Sequence, residues 1–142
     1  MILIAHRGNT EGPNLLENKP EYILKTLESF DVEIDLWVSD GLYLGHDMPQ
    51  YKINSEFLLK NGLWIHCKNI EALEFCKENC IENNYFYHQI DDVTLTSNGL
   101  LWTYPGKILT KWSIAVLPEM KKFEKINSAY GICTDYINNY EI

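Results

Sequence analysis

Arginine occurs once in the 142 residues, at position 7, and twelve basic residues face twenty acidic ones, for a formal net charge of −8. A chain this poor in positive charge has no basic face for a phosphate backbone, which argues against nucleic acid as the main partner. Long apolar runs are also missing. None approaches the ~20 residues of a membrane-spanning helix, so no stable membrane insertion is expected. Proline (five) and glycine (eight) are sparse, and no repeat, low-complexity tract or linker interrupts the chain, which fits a single domain over residues 1–142. No basic segment and cleavage site precede Ile2-Leu3-Ile4-Ala5, as a secretory leader would require. Cys67, Cys76, Cys80 and Cys133 have the spacing of neither a secreted disulfide scaffold nor a zinc finger. Reduced, buried thiols in a cytoplasmic protein are the expectation.

What is present is apolar and aromatic: 46% hydrophobic and 13% aromatic residues, enough for a core without disulfide or metal staples. Short apolar runs predict strands over residues 2–5, 32–38 (with an extension at 42–44), 63–67, 85–88, 100–103, 114–117 and 131–134. Between them, Pro20 at a first turn, with Ile23, Leu24, Leu27 and Phe30 on one face, predicts a helix over 20–30. Asn69 as a cap, with Ile70, Leu73, Cys76 and Cys80 on an inner stripe, predicts a second helix to about residue 80. A third is expected around 119–127, and the other connections are short. Strand-then-helix order with apolar strands implies a parallel α/β sheet.

The polar residues make this specific. His6, His46, His66 and His88, the chain's four histidines, all fall at or just beyond the end of a predicted strand or its extension, where parallel α/β folds bind ligands. Arg7 and Gly8 follow the first of them, a guanidinium fork suited to phosphate beside a residue that permits close backbone approach. Glu33 and Asp35 stand two apart on a strand and project to one face. Buried together they would repel unless a cation lay between them, and hard oxygen pairs suit Mg²⁺, Mn²⁺ or Ca²⁺. An ordinary solvent-facing strand is the alternative. Asp91 and Asp92 point opposite ways on a strand and read as a turn cap rather than a metal pair.

His6-Arg7-Gly8, Glu17-Asn18, Glu33-Ile34-Asp35, Asp40-Gly41 and Gly45-His46-Asp47, in this order over the first 47 residues, resemble the opening of the glycerophosphodiester phosphodiesterase family. His66-Cys67-Lys68 is similar to that family's third-strand Glu-x-Lys segment, and Thr134-Asp135 to its closing strand. The resemblance implies a reduced TIM-type (β/α) barrel of about seven strands with several helices short or missing. It implies a phosphodiester hydrolase acting on a glycerophosphodiester-like small molecule with one divalent ion, Mg²⁺, Mn²⁺ or Ca²⁺. His6 and His46 would be the general acid/base pair, Glu33, Asp35 and His66 the metal ligands, and Glu17 a support. Arg7 would contact the phosphate. From the residues themselves, Lys68 shares the strand face of His66 and is read as a second phosphate contact, and Trp102 or Tyr104 as an apolar wall beside the alcohol group.

Three departures qualify the resemblance. His66 stands where the family has a metal-binding glutamate. The family's Pro-Glu-Asn-Thr is here Leu16-Glu17-Asn18-Lys19. The chain is also shorter than the roughly 200 residues a complete barrel requires. Missing helices would leave apolar strand faces for a second copy of the chain, so a homo-oligomer is expected. Two alternatives stay open: a related lyase or phosphomonoesterase, and a non-catalytic metal- or phosphate-binding module.

Overall fold

In the computed structural model the described residues are 1–140. They form β1 (Ile2–His6), α1 (Pro20–Thr26), β2 (Asp31–Val38), β3 (Leu42–Leu44), β4 (Tyr51–Ile53), β5 (Leu63–Cys67), α2 (Ile70–Glu78), β6 (Asn84–Tyr87), β7 (Val93–Leu95), β8 (Leu101–Thr103), β9 (Ser113–Val116) and β10 (Gly131–Thr134). The strands make one mixed sheet of ten. Seven of them, in the spatial order β6-β5-β2-β1-β10-β9-β8, run parallel. β3 and β4 extend β2 as an antiparallel meander, and β7 lies antiparallel on β8.

The expected (β/α) barrel is thereby corrected. All seven predicted strands form, but the helices that define such a barrel do not: among the described residues the only α-helices are the seven residues of α1 and the nine of α2. The remaining connections are too short or too polar for a helix that could cover the sheet. β7 and β4, both unanticipated strands, occupy two of them, and 3-10 turns occupy others. The helix expected at 119–127 is absent as well. Met120 is exposed, Phe123 alone is well buried, and Lys125 adopts a left-handed φ of 56° before a 3-10 turn at Ile126–Ser128. So short a segment with one buried anchor does not repay helix nucleation.

Strand alternation divides the sheet into two faces. Ala5, Val32, Ile34, Leu36, Ile65 and Cys67 belong to the larger core, on the side against which α1 and α2 pack. Asn69 fixes the start of α2: its side chain accepts from Ala72 N–H and donates to the Val38 carbonyl at 2.7 Å, tying the helix to the end of β2. The opposite face carries Ile4, Trp64, Phe86, Trp102, Ile114, Val116 and Cys133. Phe86 on β6 stacks on Trp102 of β8 with centroids 4.5 Å apart. These strands are the two ends of the parallel set, so the sheet curls until its ends meet through aromatic rings. On this concave face β1 and β5 begin apolar and end polar: Ile4 then His6, Trp64 then His66. The register sets His6 beside Glu33 and Asp35 beside His66.

No helix of the described residues is long and apolar enough to cross a membrane.

Candidate functional site

At the carboxyl ends of the parallel strands the concave face opens into a cavity of about 310 Å³. All four histidines line it, together with Arg7 and Glu33. A larger cleft of about 470 Å³ lies at the opposite end, near Trp64, Trp112 and Tyr130, without a histidine in its lining. The chemistry is concentrated in the smaller one.

Glu33 and Asp35 are 2% and 0% exposed, which rules out a solvent-facing strand. One donor atom from each, with one from His66, lie within 4.8 Å of one another. These three residues could hold a metal ion, and the fine geometry fits one. His66 Nε2 lies 3.0 Å from the His88 carbonyl oxygen, so it carries the proton. In the neutral ring Nδ1 is then a lone pair, placed 3.2 Å from Asp35 Oδ1 and 3.7 Å from Glu33 Oε1. A lone pair facing two buried carboxylates is repulsive without a cation between them. Asp35 Oδ1 is buried and lacks a well-formed hydrogen bond.

The other carboxylate oxygens are engaged. Asp35 Oδ2 accepts from Asn18 Nδ2 at 2.9 Å and lies 3.2 Å from Arg7 Nε. Glu33 Oε2 accepts from the Arg7 backbone N–H at 3.1 Å. Burial pushes the Asp35 carboxyl up, but the facing His46 imidazole and the charge of Arg7 hold it well below the usual range. Glu33 shifts the other way, raised by burial and then by the charge of Asp35.

His6 ends β1 and donates from Nδ1 to Asp135 Oδ1 at 2.7 Å. Its Nε2 is left toward the cavity, 3.9 Å from Glu33 Oε2. Burial lowers the His6 pKa, yet the bond to Asp135 and the charge of Glu33 outweigh it and the net shift is upward. Asp135 is lowered: burial opposes ionisation, and the His6 bond overcomes it. Asn9 Nδ2 donates to the same Asp135 oxygen at 2.8 Å, and Glu119 accepts from the Asp135 backbone N–H and the Thr134 hydroxyl. Asp135 was not among the expected site residues. Its signal was its place just after β10, the strand paired with β1.

Arg7 takes a left-handed φ of 53°, which turns its backbone N–H onto Glu33. Its guanidinium donates to Glu17 Oε2 at 3.1 Å and reaches His46 Nε2 at 3.3 Å. Glu17 therefore supports Arg7. His46, on the turn after β3, places Nδ1 3.6 Å from Asp35 Oδ2, with 43% of its side chain exposed. That turn is pinned by Gly45 N–H on the Asp35 carbonyl and by Trp37 Nε1 on the Gly45 carbonyl. Lys68 Nζ lies 3.6 Å from Asp35 Oδ1. Trp102 is both core and cavity wall.

The expected residues thus come together. His88, expected at this end of the sheet but given no role, and Tyr104, weighed with Trp102 as the apolar wall, join them with ring centroids 4.2 Å apart. Burial lowers the His88 pKa to about 4. Asp91 and Asp92 are both exposed, with Asp92 paired to Lys107 at 2.8 Å. Compared with known proteins, the chain matches no family model, no curated protein and no solved structure.

Proposed function

We propose that the protein is a metal-dependent phosphodiester hydrolase acting on a glycerophosphodiester-like small molecule. The observation that carries this reading is that His6 and His46 share one cavity with the buried Glu33–Asp35–His66 group. The resemblance of the first 47 residues to glycerophosphodiester phosphodiesterases supports it. Glu33, Asp35 and His66 would hold a divalent ion, which when bound offsets the charge of the phosphoryl oxygens. Lys68 and Arg7 add positive charge beside the phosphate in an otherwise acidic chain, and Trp102 walls the alcohol portion.

Two imidazoles move the protons. His46, the more exposed, takes a proton from an attacking water as the new P–O bond forms. His6, whose raised pKa keeps it protonated closer to neutrality, donates from Nε2 to the departing alcohol oxygen as the old P–O bond breaks. Water supplies the oxygen gained by phosphorus, and the leaving alcohol takes the proton. A second copy of the chain is the proposed partner for the strand face that no helix covers, near exposed Val93 and Leu95; sedimentation velocity showing only monomer at working concentration would remove that partner.

The test is hydrolysis of glycerophosphodiesters by the full chain, with and without EDTA and with divalent ions restored singly. Release that needs an ion and is lost in His46→Ala supports the reading. A folded, ion-binding protein that releases nothing would make it a binding module, and a cyclic phosphate as end product would make it a lyase.

A further inference from the structure

The donor atoms at the Glu33–Asp35–His66 group are few, fixed and mixed. Asp35 Oδ2 and Glu33 Oε2 are occupied by Asn18 and by the Arg7 backbone, so each carboxylate presents one oxygen without a hydrogen bond, that of Asp35 lying 3.6 Å from the Lys68 ammonium. The third donor is a nitrogen. His66 cannot offer its other face, because Nε2–H is held by the His88 carbonyl at 3.0 Å. Its ring plane is held by stacking on Phe86, with centroids 5.2 Å apart and 15° between planes. Asp35, fully buried, aims its unpartnered Oδ1 into the same space.

Ca²⁺ takes six to eight oxygens and commonly a bidentate carboxylate, and Mg²⁺ likewise prefers oxygen. Two monodentate carboxylates with an imidazole whose far nitrogen is hydrogen-bonded to a carbonyl suit the first-row transition ions instead. We infer that this site selects a transition ion of the Mn²⁺-to-Zn²⁺ series over Mg²⁺ and Ca²⁺, with His66 Nδ1 as a direct ligand that sets the selection. This rests on the metal-dependent reading above and sharpens it by naming the ion class.

Binding is measured on the metal-free full chain without substrate, by calorimetric titration with Mn²⁺, Mg²⁺ and Ca²⁺, and by pulsed electron paramagnetic resonance of bound Mn²⁺. Mn²⁺ should bind about 100-fold more tightly than Mg²⁺ or Ca²⁺, and His66→Glu should shrink that ratio about tenfold or more. The Mn²⁺ signal should carry ¹⁴N coupling in the native chain and lose it in His66→Glu. His66→Gln, which keeps bulk and a polar tip, serves where the glutamate variant fails to fold.

Comparable affinity for Mn²⁺ and Mg²⁺, or ¹⁴N coupling that is absent from the native chain or survives both substitutions, overturns the inference. A nitrogen-ligated ion in a protein that cleaves no phosphodiester would leave the inference standing and refute the hydrolase. No ion bound at all would refute both.

Discussion

Asp135→Asn isolates the carboxylate behind His6. Asparagine keeps the shape, and its Oδ1 can still accept from Asn9 and from His6 Nδ1–H, while the backbone bond to Glu119 is untouched. What disappears is the negative charge 2.7 Å from the imidazole. A hydrogen bond to a charged group contributes about 1.5–3 kcal/mol, and 1.36 kcal/mol corresponds to one pKa unit. The His6 pKa should therefore fall by about one to two units. Since His6 is proposed to act as the acid, the alkaline limb of the rate profile should move to lower pH by that amount. Turnover of an alkyl diester above the shifted pKa should fall about tenfold to a hundredfold.

Stability carries the same sign. A histidine raised above its ordinary 6.5 contributes stability that is fully present below 6.5 and is lost as pH rises through its folded value. Denaturation of the native chain in EDTA should show that decline, and Asp135→Asn should flatten it. The assays are pH–rate profiles on a glycerophosphodiester and urea denaturation across pH 6 to 9. An unchanged profile with unchanged turnover, in a folded variant, would refute the pairing of Asp135 with an acid His6.

The two histidines should separate by leaving group. His46→Ala should cost about a hundredfold or more on every diester, whereas His6→Ala should be nearly that costly on alkyl diesters and much milder on bis-p-nitrophenyl phosphate, whose phenolate leaves without a proton. Both should keep their metal affinity by calorimetry. Glu33→Gln should instead weaken ion binding about tenfold or more and lower activity in parallel, a loss that added ion partly restores. In Gly45→Ala the new β-carbon would run into the Met48 carbonyl oxygen, so the turn carrying His46 must shift. Activity should fall far more than the melting temperature does.

Much of this was readable from spacing alone. Alternation on one strand put Glu33 and Asp35 on a common face, and the strand-end positions of the four histidines gathered them at one mouth. Local patterns carry such information because strand parity is a local property. Long-range pairing is not: that Asp135 would bond His6 depends on β10 lying beside β1, which only the likeness of Thr134-Asp135 to a closing strand hinted at and no local periodicity states. The helix-bearing barrel failed for a related reason. Strand order resembled the parallel architecture, but covering helices need amphipathic length, and segments such as 119–127 have a single buried anchor. β4 and β7, three residues each, were too short to show a period.

β1 is flanked in the sheet by β2 and β10, and the His6–Asp135 contact spans 129 positions of the chain. A polypeptide folding from its amino end holds β1 with one side unpaired until the β10 segment arrives. Such late, non-local closure is slow, and an unpaired edge invites association with another chain. Until it closes, His6 has no carboxylate behind it. Recovery of turnover during refolding would therefore report the arrival of β10 and lag behind signals from the β2–β5 region.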